Sequence, residues 1–275
     1  MSYLENSFDL KDPRVISILD ELPLWSAPFG LMLLDHITIK PNMTVLDVGF
    51  GVGFPLLELA QRLGNSCTIY GIDPWKEASA RVEEKIRLLN IKNVHLIEGD
   101  AGAMDFPDNT FDLIVSNTGI NNFVYPGQVL AECWRVAKTG SHIALTTNPV
   151  GHMREFYQAY EETLMALGLE QLLEAMSAQR DHRLSIKAIG NLLQGAGFRL
   201  TATHSQTVVM RFVDGTAFFN HSLIRMGFLE GWKNILPPQQ VVPVFTALEE
   251  RLNSIAHEMS ELRMTIPVVY IEAEK

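Results

Sequence analysis

Residues 45–54, VLDVGFGVGF, place an acid, Asp47, near the end of an apolar run and follow it with Gly49, Gly51 and Gly53. Glycines let a backbone turn sharply and approach a ligand closely, and a helix that follows offers free amide groups at its start. Loops of this kind cradle nucleotides, and the residues around the glycines decide which kind. A triphosphate loop needs GxxxxGK followed by Ser or Thr, and no lysine lies near Gly53. The nicotinamide and flavin fingerprint GxGxxG is missed too, because the spacing is GxGxG and Phe54 stands where the third glycine belongs. A carboxylate beside the turn favours a ligand carrying a positive amine over one bringing a second phosphate. The expected ligand is an amino-acid nucleoside.

Two more acids fall where strands should end. The segment GIDP carries Asp73, and EGDAGAMDFPDNTFDLIVSN carries Asp100 and closes on Asn117. One such Asp alone can merely cap the next helix or turn. Two of them after consecutive strands, with the glycine loop before them, point instead to one ligand. Over residues 42–148 these motifs, in this order, resemble those of the class I S-adenosylmethionine-dependent methyltransferases. The likeness is greatest to the branch that includes ubiquinone and menaquinone biosynthetic methyltransferases.

The resemblance implies S-adenosylmethionine as cofactor, S-adenosylhomocysteine as product, and a role for each motif residue. Gly49, Gly51 and Gly53 would pass under the cofactor, and Asp47 would contact its amino group directly or through water. Asp73 would accept from both ribose hydroxyls, Pro74 and Trp75 would pack beside the adenine, and Asp100 would accept from the exocyclic amine. Ala101 would offer a backbone amide to the ring, and Asn117 would lie near the methionine end. Phe50 departs from the family, which often has a small or polar residue there.

In open α/β sheets ligands bind beyond the carboxyl ends of the strands. Candidates for the acceptor side are Trp25, Phe29, Asn121, Asn122, Tyr125, Tyr157 and Phe219, with Phe218, Asn220 and Trp232 nearby in sequence. This mixed aromatic and amide set fits a small or medium organic acceptor under a lid that excludes water. Methyl transfer needs a protein base only if the nucleophile must lose a proton, and His152 and His221 are the candidates. His95 and His142 fall inside strands and are poorer ones. No metal is expected: the chain lacks zinc-type Cys/His spacing, and Asn117, Asn121 and Asn122 make no hard-metal site. The SNTGINN segment after the fourth strand is not the Asn-Pro-Pro-Tyr of amide or nucleobase methylation, and two cysteines are too few for arsenite methylation.

The elements that must hold these residues show in the hydrophobic pattern. From residue 44, β-branched runs (TVLDVG, SCTIYGID, NVHLIEGD, FDLIVSN, SHIALTTN) alternate with helical stripes such as Leu56, Leu59, Ala60 and Leu63. A second stripe runs Trp75, Ala78, Val82, Ile86, Leu89, and a third Val129, Cys133, Val136. Strand, helix and strand at this pitch predict right-handed crossovers and a doubly wound, mostly parallel α/β sheet. With the resemblance the expectation is a seven-stranded Rossmann-like methyltransferase fold.

Residues 149–183 and 213–264 interrupt the alternation as helical insertions, with stripes Phe156, Tyr160, Thr163, Leu167 and Leu248, Leu252, Ile255, Met259, Leu262. The expected organisation is an N-terminal helical cap over 1–40, broken at Pro13, Pro23 and Pro28, and a methyltransferase domain over 41–275 carrying both insertions as a lid.

The chain has 275 residues, 47% hydrophobic and 20% charged, ample for a buried core. A formal charge of −10 disfavours a phosphate-tracking surface, so no nucleic-acid partner is expected. No apolar run is long enough to span a bilayer and the N-terminus does not read as a signal peptide, so the expected location is cytoplasmic. Cys67 and Cys133 fall in apolar segments and read as buried thiols.

Overall fold

The computed structural model describes residues 2–5, 8–21, 25–181 and 183–275; Pro23, one of the expected helix breakers, lies outside them. The strands are β1 (Thr44–Val48), β2 (Thr68–Asp73), β3 (Val94–Glu98), β4 (Phe111–Asn117), β5 (Ala137–Thr147), β6 (Arg199–Phe212) and β7 (Leu262–Glu274). They form one seven-stranded sheet in the order β3-β2-β1-β4-β5-β7-β6. β1 pairs in parallel with β2 and β4, β2 with β3, and β4 with β5, while β7 runs antiparallel to β5. The order reverses between β1 and β4, the switch point at which open sheets leave a crevice beyond their carboxyl ends.

The central strands are apolar because both faces are covered: in β1 every residue after Thr44 is buried. Helix α3 (Leu56–Leu63) buries Leu56, Leu57, Leu59, Ala60 and Leu63, and α5 (Pro126–Val136) buries Val129, Leu130, Cys133 and Val136. Helix α8 (Ile186–Ala196) starts on Ser185, whose hydroxyl accepts from the Ala188 amide, and stops at Gly197, whose φ of +109° suits glycine. Leu46, Val48, Ile114, Leu145 and Ile271 from the sheet join Val129, Cys133, Ile189 and Leu193 in one core cluster.

Three stripes run past their helices. Leu89 is 56% exposed, because α4 (Lys76–Leu88) ends before it. Leu167 is the C-cap of α6 (Arg154–Ala166) and is also exposed. In α12 (Pro238–Met259) Leu248 and Leu252 are buried, yet Met259, at the last turn, is exposed and Leu262 already belongs to β7. A helical period carries no information about where the helix stops, and Leu89, Leu167 and Met259 lie where the chain leaves the buried face.

The chain divides into two compact units. One comprises residues 10–148, 184–206 and 268–275, and includes α1 (Pro13–Glu21), α2 (Ala27–His36) and β1 to β5. The other gathers residues 1–9, 149–183 and 207–267, so both insertions fall within it. Its core is aromatic. Phe156 stacks on Trp232 at 3.9 Å between ring centroids, Tyr160 donates to the Trp232 carbonyl at 3.0 Å, and Phe218, Phe219 and Phe245 are fully buried around them. Among the described residues no helix is long and apolar enough to cross a membrane.

Candidate active site

The glycine loop connects β1 to α3, and all three glycines have positive φ: +81° at Gly49, +52° at Gly51 and +100° at Gly53. An L side chain is strained at each of these positions. The Gly49 amide donates to the Ile72 carbonyl and the Gly53 amide to the Phe50 carbonyl, both at 2.8 Å, which fixes the turn. Phe50 is buried, and a Cβ on Gly71 of β2 would come within 2.7 Å of its ring. The residue that departs from the family pattern therefore points into the core over a glycine that leaves it room. Phe54, in place of the third glycine, packs against Gly30 of α2 in the same manner.

Asp47 is fully buried, and neither carboxylate oxygen has a hydrogen-bond partner. Burial, reinforced by the nearby Asp73 charge, pushes its carboxyl up to about 8. A buried acceptor pair left open is costly unless something supplies donors, and a ligand ammonium group would do so.

Asp73 ends β2 with both oxygens engaged: one accepts from the Gly51 amide and the other from the Trp75 amide, each at 2.8 Å. It thus ties the glycine loop to the start of α4. Each carboxylate oxygen retains a second lone pair, the capacity that two ribose hydroxyls require. Asp100 accepts from the Gly102 amide at 2.8 Å. Beside Asp100 lies a cavity of about 350 Å³, lined by Gly49, Ile72, Pro74, Asp100, Ala101, Gly102, Asn122, Phe123, Val124, Tyr125, Gln128 and Val129. Its mostly apolar wall with an acid at one edge suits a flat heterocycle bearing an amine.

Among the cofactor-side residues, Gly49, Pro74, Asp100 and Ala101 line this cavity; Asp47, Gly51, Gly53, Asp73, Trp75 and Asn117 are not among its lining residues. The Trp75 indole N–H donates instead to the Leu10 carbonyl at 3.1 Å, fastening the N-terminal segment to the head of α4. Asn117 is buried at the end of β4, accepting from the Thr146 hydroxyl at 2.7 Å and donating to the Ser26 carbonyl at 3.4 Å. Sequence reasoning missed Ile72, Phe123, Val124 and Gln128. Gln128 donates to the Gly102 carbonyl at 2.9 Å, holding α5 against the turn that carries Asp100 and Ala101. The one signal for this wall was the apolar run Phe123, Val124, Tyr125 just before Pro126, with Val124 and Tyr125 exposed.

The acceptor-side candidates fall into two sets. In the sheet unit, Asn122 and Tyr125 border the cavity, and Trp25 lies tilted on buried Phe29 at 5.5 Å. Asn121 donates to the Thr147 hydroxyl at 2.7 Å and to the Asn148 side-chain oxygen at 2.9 Å, joining the ends of β4 and β5. In the insert unit, Phe219 is fully buried and stacked on Tyr3 at 5.1 Å, and the Tyr157 hydroxyl accepts from the Trp232 indole at 3.2 Å.

His152, also in the insert unit, is buried with its ring stacked on Phe228 at 5.4 Å. His221 meets the Phe212 ring edge-on at 5.5 Å, and its Nδ1 is buried without a partner. Desolvation holds the His221 imidazole below its ordinary value, which favours the neutral form that a general base requires.

The comparisons with known proteins agree with this geometry. Residues 39–197 match the family described as "Methyltransferase domain". A demethylmenaquinone methyltransferase of Anoxybacillus flavithermus is 32% identical over 136 residues, 48% of this chain and 57% of that protein. The chain thus spans little more than half the length of the curated relatives it matches. A SAM-dependent methyltransferase from Aquifex aeolicus superposes with a TM-score of 0.54 at 26% identity, over 70% of this chain and 91% of that one. A phosphoethanolamine N-methyltransferase of Haemonchus contortus, solved with phosphomonomethylethanolamine and S-adenosylhomocysteine, shares the fold at a TM-score of 0.53 and 18% identity, over 90% of this chain and 52% of that one. With the β3-β2-β1-β4-β5-β7-β6 sheet, the glycine loop and the strand-end acids in register, the chain belongs to the methyltransferase domain family and has the fold of the class I S-adenosylmethionine-dependent methyltransferases.

Proposed function

We propose that this protein transfers the methyl group of S-adenosylmethionine to a small or medium organic acceptor. The observation that carries the reading is Asp47, a fully buried carboxylate with both oxygens open beside a loop of three left-handed glycines. A nicotinamide dinucleotide brings a pyrophosphate to that turn, where a buried acid repels it. The amino group of S-adenosylmethionine brings the charge Asp47 lacks, and the cavity between Pro74, Ala101 and Tyr125 fits its adenine. Asp73 and Asp100 would take the ribose and the exocyclic amine.

When bound, S-adenosylmethionine supplies a methyl group on an electron-poor sulfonium. The chain's residues then bind and orient. Asp73 holds the nucleoside over the glycine loop, Asp47 fixes the amino-acid end, and the acceptor is aligned for in-line attack. Such alignment can supply roughly 7 to 11 kcal/mol of the barrier. A base is needed only for an acceptor that must lose its proton, and His152 and His221 of the insert unit are the groups assigned to that task. Acceptor recognition is assigned to Trp25, Phe29, Asn121, Asn122, Tyr125, Tyr157 and Phe219. The relatives' name concerns demethylmenaquinone, which is not carried over to this chain; the cofactor is the one named for the Aquifex aeolicus neighbour. Both cysteines are free and buried, which suits a reducing, cytoplasmic setting.

The test is formation of S-adenosylhomocysteine when the protein is incubated with S-adenosylmethionine and a panel of phenolic, enolic, amine and carboxylate acceptors. Turnover with any acceptor is the expected result. Binding of the cofactor with no turnover across the panel would favour a non-catalytic binding protein on the same fold.

A further inference from the structure

The linker between α2 and β1, the starts of β4 and β5, and Glu272 of β7 line a second cavity, of about 320 Å³. It lies at the amino-terminal ends of the parallel strands, whereas the cavity beside Asp100 lies at their carboxyl ends, so the two occupy opposite edges of one sheet. A bulge in β5 forms one wall. Phe111 pairs with Ala137 and Leu113 with His142, so residues 138–141 all lie opposite Asp112 alone. The linker wall is tied down at Lys40: the Cys67 thiol donates to its carbonyl at 3.3 Å, and its amide donates to the Met43 sulfur at 3.2 Å.

The charged groups that line this cavity are matched, with one exception. Lys138 donates to both oxygens of Asp112 at 2.8 Å. Glu272 accepts from the Tyr270 hydroxyl at 2.9 Å, and its other oxygen lies 2.7 Å from Nδ1 of His142, a close approach without hydrogen-bond alignment. Lys40 is exposed, and among the described residues no carboxylate pairs with it. Ser141 is only 5% exposed, yet its hydroxyl has no hydrogen-bond partner. A buried hydroxyl left open costs free energy that a polar ligand recovers. An unpaired ammonium, an unmatched hydroxyl and an imidazole set against Glu272, gathered on one cavity, form a receptor for a small polar anion.

We propose that this cavity binds a small, hydroxyl-bearing organic anion, a carboxylate or a phosphate, with Lys40 meeting the charge and Ser141 and His142 meeting the polar body. The site is separate from the one proposed for S-adenosylmethionine and does not depend on that reading. No residue lines both cavities, so occupation of one leaves the other open. A lysine ammonium acts as a point charge and accepts either kind of oxyanion, so the anionic group is a matter for measurement.

The experiment is calorimetric titration of the full chain with glycerol 3-phosphate, glycerate and neutral glycerol, each with and without S-adenosylmethionine present. At least one anion binds about tenfold or more tightly than glycerol, as a charged hydrogen bond predicts. Whichever anion binds more tightly identifies the anionic group. Lys40→Met, at an exposed position, removes the preference and leaves S-adenosylmethionine affinity unchanged. Ser141→Ala weakens the anion several-fold without lowering the urea midpoint, since the hydroxyl has no partner to lose. Equal binding of glycerol, no binding of either anion, or an affinity untouched by both variants overturns the assignment. Displacement of the anion by S-adenosylmethionine overturns it too, by placing the anion in the other cavity. Failure to bind S-adenosylmethionine strikes the methyl-transfer reading and leaves this site standing.

Discussion

Asp47 is the residue on which sequence and structure converge most closely. Its position before the glycines suggests a ligand contact, and in the structure both of its oxygens are open. The folded-state pKa is raised to about 8 from an ordinary 3.8, so in the unliganded protein the folded state holds a proton that the unfolded chain releases. The associated stability is complete below pH ~4 and is lost as pH rises through about 8. Asp47→Asn removes that loss: thermal melts of the unliganded variant should exceed the parent at pH 8 and converge with it toward pH 4. Because an ammonium ligand is held by the ionised form, affinity for S-adenosylmethionine in the parent should rise between pH 6 and 8, and Asp47→Asn should flatten the rise. A pH-independent affinity in the parent would remove the ammonium from Asp47. Phe50 was less legible, since its place depends on Gly71 of the neighbouring strand, and a contact between strands leaves no trace in local spacing.

At the scale of elements, the N-terminal segment shows what periodicity can and cannot reveal. Residues 1–40 read as helical and broken by prolines, yet the clamp that α1 makes was invisible. Asp20 of α1 bonds Arg81 at 3.0 Å and also Lys85, both on α4, and Lys85 reaches the Val52 carbonyl inside the glycine loop. Trp75 adds its bond to the Leu10 carbonyl. These charges are partly buried, so the clamp is worth more than an exposed pair at ~0.2–1 kcal/mol. Lys85→Met should raise the dissociation constant for S-adenosylmethionine by roughly two- to tenfold and lower the urea midpoint modestly, since Arg81 still holds Asp20. An equal affinity would mean that the loop holds itself. Gly53→Ala tests the loop from the other side. With φ at +100° and the Val82 side chain 3.1 Å from the new Cβ, it should cost at least about 1–2 kcal/mol in urea unfolding. A neutral result would contradict the strain argument.

Over the whole molecule, the alternation of strands and helices from residue 44 was enough for the doubly wound sheet. The antiparallel β7 was foreshadowed only by the final run PVVYIEAE, because pairing direction is set by topology and not by residue pattern. The acids proposed for the cofactor stood out in the sequence because they lie at or beside strand ends, Asp73 closing β2 with Asp47 just inside the end of β1 and Asp100 just past β3. On the far wall of the cavity Asn122 and Tyr125 were singled out, but Phe123, Val124 and Gln128 were not, since the turn into a helix carries no period. The proposed S-adenosylmethionine site is built on Asp47 and Asp73. It is tested most directly by calorimetric titration of the purified chain with S-adenosylmethionine, S-adenosylhomocysteine and NAD, repeated on Asp73→Ala. The prediction is binding of the first two and not the third, weakened in the variant by about 1.5–3 kcal/mol, the cost of losing a charged acceptor. Binding of NAD alone, or S-adenosylmethionine affinity untouched by Asp73→Ala, would contradict the account.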